Sequence, residues 1–488
     1  MQRWLLVLVI VGLCVVAAAC SSESSPGTRG DSSGNGGGTQ PPPTSEHDWV
    51  RFGRDVASTS SSPDPTKIDS ANVATLTRQQ VTLDGVVDAS AIYLHAVQVN
   101  GATHNALFVT TIYGRTIALD ANDGSVLWQS TPSTHDQLAG TYRITTATPV
   151  ADPSRQYIYA AAPDGDIRKL SVANGSVVWT TPITLLPARE KIASPLNLDR
   201  GHVIAVTGGY IGDAPPYQGH VALIDAATGN LESVWNSLCS DRTGLIQPSS
   251  CAQSGSAIWG RAGAVIDSTT GNMYVATGNG LWDGRTNWGD AVIALSADAS
   301  TIVANYTPTN TETLNASDAD IGSTSPVLLG GGIVVQGGKD ATLRLLDATN
   351  IAGATGHRGQ ETQSVPTPSH SGLFTAPAVW RNGGTTWVFG ADGGGTSAWT
   401  VSGGRLAPAW QNSNGGTSPV VAGGLLFVYD PSGGVRVYVA ATGHMITKLE
   451  TGAGHWNSPI VIDGMVVVPE GNANNHGTKG VLNIFRLP

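Results

Sequence analysis

The chain contains 488 residues, of which 61 are glycine and 13% are charged, and its formal net charge at pH 7 is −10. A chain so poor in lysine and arginine lacks the basic surface that neutralises phosphates, so we expect no nucleic-acid partner. Abundant glycine with few charges is typical of an exported β protein.

The N-terminus carries an export signal. Arg3 precedes a continuous apolar run from Leu5 to Val16, which predicts a secretory signal peptide and is too short to span a bilayer comfortably. The segment Ala17 to Cys20 resembles a bacterial lipobox. Residues 1–20 are therefore predicted to be a lipoprotein signal peptide, with Cys20 as the lipidated first residue of the mature protein. Simple secretion after cleavage is the alternative.

Residues 21–46 consist mostly of serine, glycine and proline. This composition predicts a disordered, flexible tether rather than a domain. From residue 47 onward the composition becomes globular, and we interpret residues 47–488 as one domain. The predicted location is the bacterial cell envelope, with the protein attached by lipid to the cell membrane, the outer membrane or the cell surface.

A short phrase recurs along this domain: a small residue, then proline or alanine, then aliphatic residues. Copies with proline begin at Thr148, Ser194, Ser325, Ala376, Ser418 and Ser458, and copies without it begin at Ser90 and Ala262. These eight starts lie mostly about 40–60 residues apart, a period that indicates a β-propeller.

Each start is followed by short β-branched and aromatic runs, which are separated by turns containing glycine, aspartate and asparagine. Such runs predict a four-stranded antiparallel blade. The clearest repeat places Asp120 at a strand end, Gly124 in the turn and Trp128 four residues later. We expect Trp128, and the equivalent Trp179 and Trp235, to pack between neighbouring blades.

The eighth start is followed by only two further strand candidates, residues 465–469 and 481–485. Residues 76–82, which precede the first start, are the natural source of the missing strand. The predicted fold is thus all-β: an eight-bladed propeller of four-stranded antiparallel blades, closed by an N-terminal strand, which removes the open sheet edge. We expect a monomer.

Two cysteines remain after the signal peptide and the lipidated residue are set aside. Cys239 and Cys251 flank an insertion of 11 residues. In an oxidising compartment they are predicted to form a disulfide. The chain has neither the Cys-x-x-Cys spacing nor the haem-attachment motif that redox or metal chemistry requires.

The turn formula that ends in tryptophan resembles the docking repeat of the quinoprotein-type propellers. That superfamily includes the alcohol dehydrogenases that use pyrroloquinoline quinone (PQQ) and the outer-membrane assembly lipoprotein propeller. The resemblance extends over nearly the whole domain and implies the same fold.

One stretch also resembles the cofactor region of the PQQ alcohol dehydrogenases. On that resemblance Asn279 is a calcium ligand, Asp290 is the catalytic base and a further calcium ligand, and Lys339 contacts the quinone as a catalytic residue, while Trp259 or Trp288 stacks on the cofactor. Amide and carboxylate oxygens suit Ca²⁺, and a cation beside the quinone oxygen stabilises developing charge.

The family's carboxylate ligand in the third blade has no glutamate counterpart here. Asp213, in the segment that follows Gly209, is the carboxylate nearest to that position. The vicinal cysteine pair that covers the quinone in the family is absent. Asp318 and Asp320, two residues apart, suit a cation or the same funnel, although a solvated loop explains them as well.

Two interpretations of function remain. In the first, the protein is an oxidoreductase that uses PQQ and Ca²⁺ to oxidise an alcohol or sugar, with a separate electron acceptor. In the second, it is a non-catalytic propeller without a cofactor that binds an envelope protein or a glycan. The first predicts that the named residues meet in a central funnel. The second predicts a filled or shallow centre, with exposed aromatic residues such as Trp380, Trp387 or Trp410 on a rim.

Overall fold

A computed structural model describes residues 47–63 and 66–488. The predicted signal peptide, Cys20 and the predicted tether lie outside the described residues. Within the described part of the chain, none of the helices has the length and apolar character needed to cross a bilayer.

The described residues form the eight blades of a β-propeller, each built on four antiparallel strands, and in blade 7 the short strand Ser61–Ser62 adds a fifth, parallel strand. In blades 1 to 7 the four antiparallel strands pair in the order in which they follow one another along the chain. The strands of blades 1 to 4 are as follows: Ile92–Val99, Ala102–Thr110, Thr116–Asp120 and Val126–Ser130; Val150–Ala151, Tyr157–Ala161, Asp166–Ser171 and Val177–Pro182; Asn197–Asp199, His202–Val206, His220–Asp225 and Leu231–Asn236; Val265–Ile266, Met273–Ala276, Val292–Leu295 and Ile302–Tyr306.

Blades 5 to 8 follow the same plan. Their strands are Val327–Gly330, Ile333–Gln336, Thr342–Asp347 and Gln363–Pro366; Ala378–Asn382, Thr385–Ala391, Thr396–Ser402 and Arg405–Asn412; Val420–Ala422, Leu425–Tyr429, Val435–Val439 and Met445–Leu449; Ile460–Ile462, Met465–Glu470, Gly480–Arg486 and Thr77–Leu83. The remaining strands are Ser61–Ser62, Glu190–Lys191 and Gly208–Gly209. The helices are His135–Leu138 and Thr311–Ala316, with short 3₁₀ turns at Val73–Thr75, Pro248–Ser250 and Ala473–Asn475.

Blade 8 combines strands from both ends of the described chain. Thr77–Leu83 pairs antiparallel with Gly480–Arg486, from Thr77 opposite Arg486 to Leu83 opposite Gly480. The sequence predicts residues 76–82 as the fourth strand of this last blade. Pairing the two ends in one sheet leaves no exposed first or last edge in the row of blades.

The tryptophans of the repeat join neighbouring blades as predicted. Trp128 at the end of blade 1 is 7% exposed, and its Nε1 donates to the carbonyl of Val172 in blade 2 at 2.8 Å. Its ring lies on Gly175, where φ is +71° and an added Cβ would come within 2.5 Å of the ring. The same contact recurs between Trp179 and Gly229, and between Trp410 and Gly443.

The recurring starts form a closed circle of hydrogen bonds that no single repeat reveals. At each junction a serine, threonine or asparagine side chain bonds the backbone of the adjacent blade. The pairs, from blade 1 around to blade 1 again, are Ser90 with Thr148, Thr146 with Ala193, Asn197 with Ala264, Ala262 with Ser325, Thr324 with Thr375, Ala376 with Ser418, Ser418 with Ser458, and Asn457 with Val87. The polar side chains in and next to the recurring starts therefore hydrogen-bond neighbouring blades to each other.

Residues 49–62, for which the sequence predicts no strand or helix, cross the centre of the ring. This segment passes the first strands of several blades in turn. Its backbone carbonyls accept hydrogen bonds from the backbone N–H groups of Tyr93, Ala151, Ile266, Val379 and Val421. Arg51 is buried and donates to the carbonyl of Leu198 at 2.7 Å. These contacts lie farther along the first strands than the residues that line the cavity described below, so the cavity opens at the other end.

Candidate active site

A central cavity of about 430 Å³ opens on the face where the first strands begin. Its walls come from the segments that precede the first strands and from the loops between the second and third strands. Blades 1 to 6 and blade 8 contribute; among the lining residues are Asp88, Thr146, Lys191, Asp213, Trp259, Arg261, Asp318, Lys339, Phe374, His455 and Trp456. The volume suits a ligand of cofactor size.

Trp259 contributes the flat surface of this cavity. Gly208 and Gly278 lie against its indole, where an added Cβ would come within 3.2 and 3.1 Å of ring atoms. Lys339 places its Nζ over the ring, 5.7 Å from the centroid. Glycine at both positions therefore leaves room for the indole and keeps it in place.

Lys339 joins two of the acidic residues. Its Nζ lies 2.6 Å from Asp318 Oδ1 and 2.6 Å from Asp320 Oδ2. Burial lowers the pKa of Lys339, but the two carboxylates outweigh it and the net shift is upward. Burial also raises the pKa of Asp320, which Lys339 only partly offsets. The cluster is thus a buried ion pair with one additional negative charge.

Asn279 lies beside this cluster. Its Nδ2 donates to Asp318 Oδ1 at 3.1 Å. Its Oδ1 is buried and has no hydrogen-bond partner among the described residues. An amide oxygen without a partner next to two carboxylates is the donor type that a hard cation prefers.

Asp290 lies below the cavity wall rather than in it. Its side chain is 0% exposed, and within the described chain neither carboxylate oxygen accepts a hydrogen bond of normal geometry. Burial, and secondarily the charge of Asp320, raises the pKa of Asp290 to about 8. The structure therefore brings Asp290 close to the cluster but not into contact with the cavity.

Asp213 also lines the cavity. It follows the strand Gly208–Gly209 and adopts φ +48°. An added Cβ on Gly209 would come within 3.1 Å of Asp213 Oδ1. Partial burial raises the pKa of Asp213, while Lys339 lowers it and Asp318 raises it, so the carboxylate lies within the field of the same cluster.

Trp288 does not line the cavity. It is 1% exposed, its Nε1 donates to Ser240 Oγ at 2.9 Å, and it packs with Trp235 and Ile258 in the core between blades 3 and 4. Its neighbour Gly289 folds directly against Gly280, which turns the indole into the core. Of the two tryptophans predicted to stack on a cofactor, only Trp259 is available.

A second group of charged residues, which the sequence does not single out, also faces the cavity. Asp88 is fully buried, Lys191 and Arg261 line the wall, and the rings of His455 and Trp456 lie 4.3 Å apart beside them. Their common signal is position, because each lies within three residues of a repeat start or belongs to one. Residue type alone did not distinguish them from ordinary loop residues.

Oxygen donors are present for a cation, although in this conformation no three His, Cys, Asp or Glu side chains of the described residues are arranged as a metal centre. The ammonium of Lys339 occupies the position between the two carboxylates. The donor set that fits a hard ion is Asn279 Oδ1 with Asp318, Asp320 and Asp213. The residues present thus fit a planar anionic cofactor with a hard cation, provided that Lys339 shifts from the carboxylates.

The predicted disulfide is present. Cys239 and Cys251 are bonded, with their Cα atoms 6.1 Å apart. Asn236 anchors the enclosed loop by donating to the carbonyls of Arg242 and Gly244.

Comparison with known proteins agrees with this fold. A protein-family profile described as the outer membrane protein assembly factor BamB matches residues 87–271. Two curated relatives are polyvinylalcohol dehydrogenases, from a Pseudomonas species and from Sphingopyxis sp. (strain 113P3). Each is 24% identical, over 211 and 213 residues respectively, which is 40% of this chain. The aligned regions span about a third of those enzymes, 32% and 31%.

Solved structures share the architecture over most of the chain. Quinohemoprotein alcohol dehydrogenase from Comamonas testosteroni superposes with a TM-score of 0.66 at 17% identity, covering 90% of this chain and 80% of that one. A europium-containing methanol dehydrogenase gives 0.68 at 16%, covering 91% and 98%. BamB from Moraxella catarrhalis gives 0.50 at 15%, covering 84% and 98%. The protein is thus a quinoprotein-like propeller in fold.

Proposed function

We propose that the protein is an exported, lipid-anchored oxidoreductase that uses PQQ and a bound cation to oxidise an alcohol or a sugar, passing the electrons to a separate acceptor. The observation that carries this proposal is that Trp259, Asp318 and Lys339 line one cavity, while Asn279 and Asp320 contact Asp318 and Lys339 directly. When bound, PQQ with its cation would supply the oxidising centre that accepts two electrons from the substrate carbon.

The side chains have separate tasks in this proposal. Trp259 offers its flat face to the planar cofactor, and Asn279 Oδ1 with Asp320 offers oxygens to the cation. Lys339 places positive charge beside the position where negative charge develops. Asp318, rather than Asp290, lies on the cavity wall, so we assign to its carboxylate the uptake of the substrate hydroxyl proton.

The substrate class is an alcohol, which loses two electrons and two protons to give an aldehyde or a ketone. The polyvinylalcohol dehydrogenases among the relatives make polyvinyl alcohol a first substrate to test, beside small alcohols and sugars. Their similarity is confined to about a third of their length and supports the choice of test substrate only.

The second candidate is a non-catalytic propeller that binds an envelope protein or a glycan, and the BamB profile match favours it. Two structural observations weigh against it. The centre contains a charged cavity, and Trp380, Trp387 and Trp410 are half-buried and pack against the core of blades 6 and 7.

The deciding experiment is PQQ binding by the full chain, measured by quenching of tryptophan fluorescence with Ca²⁺, with La³⁺ and with EDTA. We expect cation-dependent binding that Asn279→Ala and Asp318→Asn abolish. Asp241→Asn, a matched change at an exposed loop residue, should leave binding intact.

Reduction of a dye acceptor by the alcohol panel then tests turnover, and Asp318→Asn should abolish it. Absence of binding at high micromolar PQQ under all three conditions would overturn the proposal. Binding without turnover of any alcohol, sugar or polyvinyl alcohol would overturn its catalytic part.

A further inference from the structure

Lys191 lies on the cavity side of the short strand Glu190–Lys191, and its neighbour Glu190 fixes the other side of that strand by hydrogen bonds. Glu190 and Lys191 pair with Gly209 and Gly208. Successive side chains of a strand point to opposite faces. Glu190 is 1% exposed, and its carboxylate accepts the backbone N–H of Gln218 at 3.1 Å and lies 3.1 Å from Nε2 of the buried His220. Lys191 accordingly faces the cavity from a fixed backbone.

The amine of Lys191 lacks a direct partner within the protein. None of the residues described, 47–63 and 66–488, places a carboxylate within 4.0 Å of its Nζ or forms a hydrogen bond with it. Burial, and then the charge of Arg261, lowers the pKa of Lys191 to about 8, while Asp88 acts in the opposite direction. A lysine held in this way retains a charge that the surrounding protein does not neutralise.

Arg261 is the second cation of this wall. It is 7% exposed, its guanidinium lies 5.2 Å from the ring centroid of Trp456, and Nη2 makes a long contact of 3.4 Å to the carbonyl of Thr146. In the described part of the chain no carboxylate lies within ion-pair distance of it. Burial lowers the pKa of Arg261 to about 10.

Asp88 is the carboxylate that faces both cations, and its oxygens already have partners. They accept the backbone N–H groups of Trp456 at 2.7 Å and Ala473 at 2.9 Å, and His455 Nδ1 lies 2.8 Å away. Burial alone would raise the pKa of Asp88, but these contacts and Arg261 lower it, so the group is ionised. One carboxylate opposite two cations leaves at least one positive charge in excess.

The two groups of charged residues on the cavity wall therefore carry opposite net charge. Around Lys339 the carboxylates outnumber the cation, whereas around Lys191 and Arg261 the cations outnumber the carboxylate. Buried charges without partners are costly unless a ligand supplies the counter-charge. The cavity wall also carries the rings of Phe374 and Trp456, with centroids 5.9 Å apart. A planar aromatic ligand with carboxylates at one end matches this arrangement.

We propose that Lys191 and Arg261 form an anion subsite that binds the carboxylates of a planar aromatic polycarboxylate without help from a metal ion. PQQ is a planar tricarboxylate of this class, and its choice as the natural ligand rests on the proposed function. The subsite orients such a ligand, with its carboxylates at Lys191 and its opposite end at Trp259 and the acidic cluster.

The test is the binding of benzene-1,3,5-tricarboxylate by the full chain in EDTA at pH 7, measured by isothermal titration calorimetry. We expect saturable binding to the wild type, at least tenfold weaker binding to Lys191→Met and to Arg261→Met, and none to the double variant. Lys191→Arg should stay within threefold of the wild type. Lys479→Met, which removes an exposed surface lysine, should have no effect, and the neutral tricarboxamide should not bind.

Circular dichroism of each variant separates loss of binding from loss of folding. Equal binding of the tricarboxylate by the wild type and the double variant, or no binding by the folded wild type, would overturn the subsite.

A parallel PQQ titration with Ca²⁺ separates this proposal from the proposed function. Cation-dependent PQQ binding that both methionine variants leave unchanged would overturn the subsite and retain the function. Tricarboxylate binding that depends on Lys191 together with no PQQ binding would retain the subsite and overturn the function.

Discussion

The contact between Trp128 and Gly175 offers a direct test of how neighbouring blades are joined. Gly175 has φ +71°, and an added Cβ would come within 2.5 Å of Trp128 Cε3. Gly175→Ala therefore combines two costs. The left-handed backbone costs a residue with a Cβ about 1–2 kcal/mol, and displacing the ring from a packed site adds about 1–3 kcal/mol. We expect the free energy of unfolding to fall by about 2–5 kcal/mol.

Gly101 is the matched control for the backbone cost. Its φ is +83°, and an added Cβ would meet no atom within 4 Å. Gly101→Ala should therefore lose only the left-handed cost of about 1–2 kcal/mol. The difference between the two alanine variants measures the contact with the ring.

A double-mutant cycle isolates the pair. Trp128→Ala alone should cost about 3–5 kcal/mol, because it removes a buried ring and its hydrogen bond to Val172. In that background Gly175→Ala should cost no more than Gly101→Ala, which gives a coupling of about 2 kcal/mol. The assay is urea unfolding of the full chain followed by circular dichroism. Equal costs for the two glycine changes, or an unchanged cost of Gly175→Ala without the tryptophan, would refute this account.

Three further predictions concern charge, the disulfide and the polar circle. Burial lowers the pKa of Lys191 from 10.5 to about 8 in the folded chain, so its charge lowers stability fully below pH 8 and progressively less as the pH rises from 8 to 10.5. Lys191→Met should therefore raise the free energy of unfolding of the ligand-free protein at pH 7 by at most about 3 kcal/mol, and with it the melting temperature, but should change either very little at pH 10. An equal gain at both pH values would contradict this prediction. Replacing Cys239 and Cys251 by serine should cost about 2–4 kcal/mol in thermal unfolding and expose the enclosed loop to limited proteolysis; unchanged protease resistance would argue against it. Asn457→Ala should cost about 1–3 kcal/mol in urea, because the buried carbonyl of Val87 loses its donor, whereas a midpoint equal to that of the wild type would show that the circle does not depend on this bond.

Much of the fold is readable from local patterns. The eight starts, the strand runs and the turn glycines recur along the chain, and blades 1 to 7 each take their four antiparallel strands from one continuous stretch of sequence. Trp128 and its equivalents are predictable for the same reason, because the residue, the turn and the neighbouring blade recur together. The segment 49–62 has no repeat period, and its contacts are to six different blades, so no local pattern identifies it.

The candidate site was partly predictable. Asn279, Lys339, Trp259 and Asp213 are close together, as the resemblance implies. Trp288, next to the closely packed Gly289, points into the core, and Asp290 lies beneath the cavity wall, because backbone turns decide which side of a strand end faces the cavity.

The amino-acid sequence by itself determined the blade, its number of copies and its docking tryptophans, because those interactions act between residues close in the chain or one repeat apart. The tertiary structure alone decided which loop residues meet at the centre. Asp88, Lys191, Arg261 and His455 lie up to 367 residues apart in the chain, yet they share one cavity wall. The blades are arranged in a ring, so short segments from different blades meet around its axis. The charge of the cavity therefore depends on residues that lie far apart in the chain and whose proximity cannot be inferred from their spacing in the sequence.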